Sequence, residues 1–214
     1  MSSIDVREIT RELIEIIKKS DGRIARHLHI PLQSGSDRIL KAMKRNYNTG
    51  YFIDKVSMVG DLIPEATITT DVIVGFPGET DDDFYLTLDL FDKLKFSKVH
   101  VFKYSRRAGT AAAGMQAQVS ENIKTIRSLA ARKKGEAIRE EFLAKNTGKV
   151  LEVVCEEFDS TGMTKGLADG ISENYIRVYF EMDREEFSSE KGRIIRVKAV
   201  QQYMDGLKGF AQML

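Results

Sequence analysis

The sequence predicts an α/β unit built on a parallel sheet, over residues 1–145, followed by a small all-β barrel or sandwich over residues 146–214. Three observations carry this. Apolar, β-branched runs alternate with helix-period segments through residue 145, the pattern of a parallel sheet covered by helices. Two of the runs end in tight polar loops that open helices, His29-Ile30-Pro31-Leu32-Gln33-Ser34-Gly35-Ser36-Asp37 and Asp71-Val72-Ile73-Val74-Gly75-Phe76-Pro77-Gly78-Glu79-Thr80. After Asn146-Thr147-Gly148 the helix periodicity gives way to short apolar or alternating runs between Gly- and Asp-containing turns.

The elements follow in order. Val6, Ile9, Leu13, Ile16 and Ile17 share one helical face, so a helix is expected over about residues 6–19, stopped by Asp21-Gly22. The run through Ile30 and Leu32 is the first strand. Phe52, Val56 and Val59 recur at the helix period in a segment closed by Pro64. Residues 68–74 form a strand buried on both faces. Thr80 caps the next helix, whose first turn holds Asp81, Asp82 and Asp83 and whose buried stripe is Phe84, Leu88, Phe91 and Leu94. Residues 99–104 make a third strand, which leads through the polar loop 105–110 to a long helix from about Ser120 to Lys145. Short strands are expected at 150–154, 175–180, 194–200 and 207–214.

Composition bounds the function. With 214 residues, 42% of them hydrophobic, the chain can bury one full core and a smaller one. A net charge of +1 rules out a strongly basic overall field, so nucleic-acid binding would need a local patch. The lone Cys155 cannot close an internal disulfide or by itself supply a zinc or iron-sulfur site, and no metal is expected on this chain. No run of about 18 apolar residues and no signal-peptide pattern is present, so a cytoplasmic location is expected, with no membrane partner.

Polar groups at strand ends are where α/β proteins bind ligands. Gln33 with Ser34-Gly35-Ser36 suits a sugar or carboxylate; the same residues read equally as a helix start capped by Ser36 or Asp37. Arg45 returns to the strand ends if a short helix intervenes, as a bidentate partner for an anion, or else is a solvated surface arginine. Asp71 in an apolar strand needs a partner, either a ribose diol or a structural hydrogen bond. Gly75-Phe76-Pro77-Gly78 lets backbone and an aromatic edge approach a flat ring, or is a rigid turn. His27 and His29 share a strand face but lack a third ligand, and His100 belongs to the sheet. Lys103, Arg106, Arg107 and the long helix's Lys124, Arg127, Arg132, Lys133, Lys134 and Arg139 read as a solvated face or as phosphate contacts. Tyr175, Arg177, Arg196 and Lys198 could line an RNA surface, although Glu156, Glu157, Glu185 and Glu186 make this region slightly acidic.

With these residues in place, the chain resembles the carboxyl-terminal part of the radical S-adenosylmethionine (SAM) methylthiotransferases. The resemblance rests on residues 29–37 with Leu40, Met43 and Arg45, on residues 71–80, and on Val99-His-Val-Phe-Lys-Tyr-Ser105 with Gly109-Thr110-Ala111. It implies that the first part is the later half of a parallel (β/α) barrel of the radical SAM type and the last part the family's small RNA-binding barrel, the TRAM domain. It implies Gln33 and Asp71 at the ribose of SAM, Arg45 at its methionyl carboxylate, and Gly75, Phe76, Pro77, Phe102 and Tyr104 at its adenine. In the family an iron-sulfur cluster on three cysteines cleaves SAM to a deoxyadenosyl radical, a second cluster takes part in sulfur delivery, and another SAM supplies the methyl group.

This sequence lacks the three-cysteine motif and the preceding cluster-binding domain, which implies a fragment starting mid-barrel and inactive alone, its missing amino-terminal region acting as partner. The exposed sheet edge of such a half-barrel favours self-association. The family's usual substrate is an adenosine beside the tRNA anticodon, and one branch modifies a ribosomal protein. His27-Leu28-His29, Gln33-Ser34-Gly35 and Tyr104-Ser105-Arg106-Arg107 look most like the branch acting on threonylcarbamoyladenosine, with the isopentenyladenosine branch near it. A non-catalytic RNA-binding adaptor is the reading from another class.

Overall fold

The structure, a computed structural model, describes residues 3–212. They fall into two compact units that divide between Arg139 and Glu140.

In the first unit a 3-10 turn, Val6–Glu8, precedes α1 (Arg11–Lys19), and β1 (His27–His29) follows. Next come α2 (Asp37–Ala42), α3 (Thr49–Leu62), β2 (Thr67–Val74), α4 (Asp81–Leu94) and β3 (Lys98–Lys103). A second 3-10 turn, Ala111–Gly114, leads to α5 (Glu121–Asn146), which crosses the division. The three strands pair in the order β1-β2-β3, all parallel, with His29 beside Thr69 and Asp71 beside His100. Leu28, Val72, Val74 and Val101 on one sheet face join Phe52, Val59, Phe84 and Phe91 from the helices in one core. Each such side chain contributes about 1.5–3 kcal/mol on burial. The two-residue period therefore sends His27, His29, Thr69, Asp71, His100 and Phe102 to the opposite face.

The single helix expected over residues 6–19 is two pieces. Asp5 caps the short turn, and the Thr10 side chain accepts the Leu13 N–H to start α1 afresh. The break resets the helical phase, so Ile14 and Ile17 are buried while Ile16, expected inside, is exposed.

The second unit is a closed barrel of five strands in the order β4-β5-β6-β8-β7: β4 (Val150–Phe158), β5 (Leu167–Ser172), β6 (Arg177–Glu181), β7 (Ile194–Tyr203) and β8 (Gly206–Gln212). A helix, α6 (Arg184–Glu190), joins β6 to β7. All pairs are antiparallel except β6 with β8. Leu151, Val153, Cys155, Val178, Phe180, Val197 and Leu207 fill it, together with Leu143 from the end of α5. β5 and α6 are elements the sequence reading did not contain. Of the run expected over 207–214, residues 213–214 lie outside the described residues. Among the described residues no helix is long and apolar enough to cross a membrane.

Candidate functional site

The site is built where β1 and β2 run out. Beyond β1 the chain keeps to its neighbour: Ile30 N–H donates to Thr69 O (2.9 Å), Gln33 N–H to Asp71 O (2.8 Å), and Ile73 N–H to Gln33 O (2.9 Å). This isolated parallel bridge holds Gln33 in the left-handed region, at φ +67°, a conformation costly for a side chain with a Cβ. Ser36 caps α2, as one of the two expected caps.

Asp83 ties the two loops together. Its carboxylate accepts from the Ser36 hydroxyl (2.6 Å), from Thr80 N–H (2.8 Å) and hydroxyl (2.7 Å), and from Arg38, which also donates to Gly78 O (2.7 Å). Burial pushes the Asp83 carboxyl up, but these hydrogen bonds together outweigh it and hold the group well below the usual carboxylate range. Gly35 completes the contact: its N–H donates to the Thr87 hydroxyl (2.8 Å), and a Cβ there would meet the α4 backbone at Thr87 and Leu86.

A second clamp comes from α5. The Arg127 guanidinium donates to the Glu79 carboxylate (2.7 Å), to Glu79 O (3.1 Å) and to Asp81 (2.7 Å), while the Glu79 carboxylate also accepts Gly75 N–H (2.7 Å). Burial pushes the Glu79 carboxyl up, with Gly75 N–H and Arg127 pulling against it. The Lys124 stem fills the space beside Gly75, its ammonium lying 5.3 Å from the Tyr104 ring centre. Arg127 and Lys124 are expected to be solvated or to meet phosphate; both are buried, Arg127 committed to the loop at residues 75–81 and the Lys124 ammonium paired with Glu121 of its own helix (2.7 Å). Lys134 pairs with Asp92, and Arg132 donates to Val101 O.

Between the loops and β3 lies a cavity of about 520 Å³, lined by Gln33, Arg45, Asp71, Phe76, Phe102 and Tyr104 among others. Six of the eight residues expected at a cofactor thus meet in one place; Gly75 and Pro77 do not line it. The short helix α2 brings Arg45 back as the spacing required, and Arg45 forms no ion pair among the described residues. Phe76 and Tyr104 pack edge to face with ring centres 5.3 Å apart. The Tyr104 hydroxyl is buried with no hydrogen-bond partner among the described residues. Lys44, Lys103 and Arg107 add positive charge to the lining, and Asp71 is its one acidic side chain.

Asp71 also has protein partners on the sheet. His29 Nε2 lies 3.2 Å from Asp71 Oδ2, and Thr69 Oγ1 lies between His29 Nδ1 (2.9 Å) and His27 Nε2 (3.0 Å). Burial, helped by neighbouring cations, pushes His27 down to about 4, so it is neutral near pH 7. His100 is likewise lowered by burial, against the pull of Asp71. Strand parity put His27 and His29 together in the sequence; that Asp71 and His100 join them depends on parallel register, which parity does not supply.

In the barrel, Arg196 and Lys198 project outward from β7, with Phe210 of β8 across from Lys198 and 57% exposed. Nothing in the sequence singles out Phe210, because a lone aromatic in a short strand reads as core. Tyr175 is half exposed in the turn before β6, at φ +63°. Arg177 on β6 pairs with Asp169 and Glu156, and β8 lies between its strand and β7. Arg106 donates to Ala113 O (2.9 Å).

Residues 2–91 match the sequence model of the radical SAM superfamily. Threonylcarbamoyladenosine tRNA methylthiotransferase MtaB of Bacillus subtilis is 38% identical over 198 residues, covering 92% of this chain and 43% of that protein. The protein of the same name from Thermotoga maritima is 38% identical over 94% of this chain and 44% of its own length. The tRNA-2-methylthio-N(6)-dimethylallyladenosine synthase of Thermodesulfovibrio yellowstonii is 32% identical over 95% of the chain and 45% of its own length. The chain belongs to the radical SAM methylthiotransferase family. It spans less than half the length of the curated relatives it matches. Among solved structures, coproporphyrinogen III oxidase (HemN) from Escherichia coli superposes with a TM-score of 0.50 at 15% identity, over 94% of this chain and 46% of that one, a likeness of fold alone. Of the groups that radical SAM chemistry uses, SAM fits the cavity: an unpaired arginine, a lone carboxylate, aromatic edges and a buried hydroxyl without a partner. An iron-sulfur cluster does not fit this chain, whose one cysteine is buried in the second unit's core.

Proposed function

We propose that this chain supplies the SAM-binding and RNA-facing part of a tRNA methylthiotransferase. The observation that carries the reading is the cavity in which Gln33, Arg45, Asp71, Phe76, Phe102 and Tyr104 meet. Asp71 accepts hydrogen bonds from ribose hydroxyls, with Gln33 beside it offering both a donor and an acceptor. Arg45 holds the methionyl carboxylate as a bidentate pair. Phe76 and Phe102 flank the adenine, and the Tyr104 hydroxyl gains the partner it lacks. When bound, SAM supplies the oxidising equivalent for cleaving a carbon-hydrogen bond and the methyl group. The cysteines that hold the clusters lie outside these 214 residues, so the chain alone is inactive.

The second unit reads as a TRAM domain. Outward-facing Arg196 and Lys198 beside exposed Phe210, with Tyr175 in its turn, give cations for phosphates and rings for bases. Arg106 and Arg107, at the loop after β3, add contacts to RNA near the cavity. The substrate class follows the relatives: an already modified adenosine beside the anticodon of tRNA, the threonylcarbamoyl form first and the dimethylallyl form second.

The test uses S-adenosylhomocysteine, a thioether that is not cleaved and that keeps the adenine, ribose and carboxylate of SAM. Calorimetry on the chain is expected to show binding that Asp71→Ala and Arg45→Ala each weaken at least about tenfold, or about 1.4 kcal/mol. Equal binding by both variants removes the assignment. In the full-length protein the same substitutions are expected to abolish the methylthio nucleoside in digested tRNA while leaving the fold intact. Mass spectrometry of that digest also identifies the adenosine.

A further inference from the structure

The chain has three histidines, and all three stand on one face of the β1-β2-β3 sheet. Two of them flank Asp71. One ligand atom from each of His29, Asp71 and His100 can be chosen so that all lie within 4.8 Å of one another, and all three residues are half-buried. The His29 and His100 rings meet edge to face, with centres 5.9 Å apart. We propose that His29, Asp71 and His100 bind one divalent first-row transition ion of the zinc or iron(II) class.

The donor set selects the ion. Two imidazoles and one carboxylate suit Zn(II), Fe(II) or Co(II), whereas Mg(II) and Ca(II) take oxygen ligands. Bonds of about 2.0–2.1 Å place tetrahedral ligands about 3.3 Å apart, so binding draws these three together by small side-chain rotations. Three protein ligands leave a fourth position for water or a substrate atom. The surroundings also fit. Thr69 Oγ1 lies 2.9 Å from His29 Nδ1 and 3.0 Å from His27 Nε2. The hydroxyl can accept the Nδ1 proton of His29 and give its own to His27, which leaves His29 Nε2 as the lone pair facing Asp71. That is how the ring of a metal-binding histidine is fixed by its outer partner. Asp71 keeps its second carboxylate oxygen, so the ion and a ribose hydroxyl draw on different atoms of one group.

The arrangement has a metal-free counterpart in which His29 Nε2 carries the proton and donates it to Asp71. The two differ in which ring nitrogen is protonated, and this decides the test. The untagged chain, stripped with chelator, is titrated with Zn(II) and with Co(II) in the absence of any SAM derivative, so failure of the cofactor reading is a separate result. The expected outcome is one equivalent bound, a visible Co(II) spectrum without a thiolate band, and ¹⁵N imidazole resonances of His29 and His100 that move from nitrogen–proton to metal-bound values. His29→Ala and His100→Ala are expected to weaken binding at least about tenfold, and Thr69→Val, which keeps the shape, about tenfold. Less than about a tenth of an equivalent bound, or resonances of His29 and His100 unchanged at saturation, overturns the site. If either alanine variant fails to fold, the resonances of the unaltered protein decide alone.

Discussion

At the scale of single residues, two positions carry consequences out of proportion to their size. Gly35 sits where a Cβ would meet backbone at Thr87 and the Leu86 carbonyl oxygen at 2.6 Å, and backbone cannot rotate away. Gly35→Ala is therefore expected to lower stability by about 1–3 kcal/mol, read as a fall in the urea midpoint. Gly60 in α3 has nothing within 4 Å of its Cβ direction, and Gly60→Ala is expected to raise stability by about 0.5–1 kcal/mol. Opposite signs for two identical substitutions would separate close approach from helix propensity. Phe210 is the other such position. Its exposed ring lies across from Lys198, so Phe210→Ala should leave the fold unchanged and cost about 1–3 kcal/mol in binding a single-stranded anticodon loop, measured by fluorescence anisotropy. A melting temperature that falls with the affinity would mark the ring as structural.

At the scale of elements, the α4 amino terminus joins capping to site assembly. Asp83 completes a capping box with Thr80 and, in the same carboxylate, receives Ser36 and Arg38 from the other loop. Its folded pKa lies below that of the unfolded chain, near 3.9, so the unfolded state binds the proton first as pH falls. The stability it contributes is thus complete above about pH 4 and is lost as pH drops through the folded value. Asp83→Asn is expected to cost about 1–3 kcal/mol at pH 7 and to flatten the acid limb of the stability profile below pH 4, followed by circular dichroism. An acid limb as steep as before assigns it to other carboxylates. Much of this region was legible in the sequence, because β-branched runs, Thr80 with its acidic first turn and the Pro64 stop each act locally. The rest was not, for reasons of distance or weak pattern. β5 reads Leu-Ala-Asp-Gly-Ile-Ser, a run with little β propensity that becomes a strand because β4 and β6 flank it. α6 has Phe187 as its one buried residue, too little for a periodicity. Arg127 reads as one of several solvated cations because Glu79, the partner it meets, lies 48 residues away in sequence.

At the scale of the whole molecule, the division into units does not coincide with the ends of elements. α5 runs on seven residues past the division, from Glu140 to Asn146, and there it serves the barrel: Leu143 is 4% exposed within the barrel's core, and the Asn146 side chain accepts from Asn174 at 3.1 Å. The stability of the barrel thus depends on residues that sequence periodicity assigns to the preceding domain. Truncating a buried leucine costs its transfer free energy plus the cavity left behind, about 2–5 kcal/mol. Leu143→Ala in the full chain is expected to remove that much from the barrel, and hydrogen exchange can locate the loss. If each unit unfolds on its own, amide protection falls across β4 to β8 while β2 keeps its protection, since its core partners Phe52, Val59 and Phe91 are untouched. If protection in β2 falls by the same amount, the two cores unfold as one cooperative system.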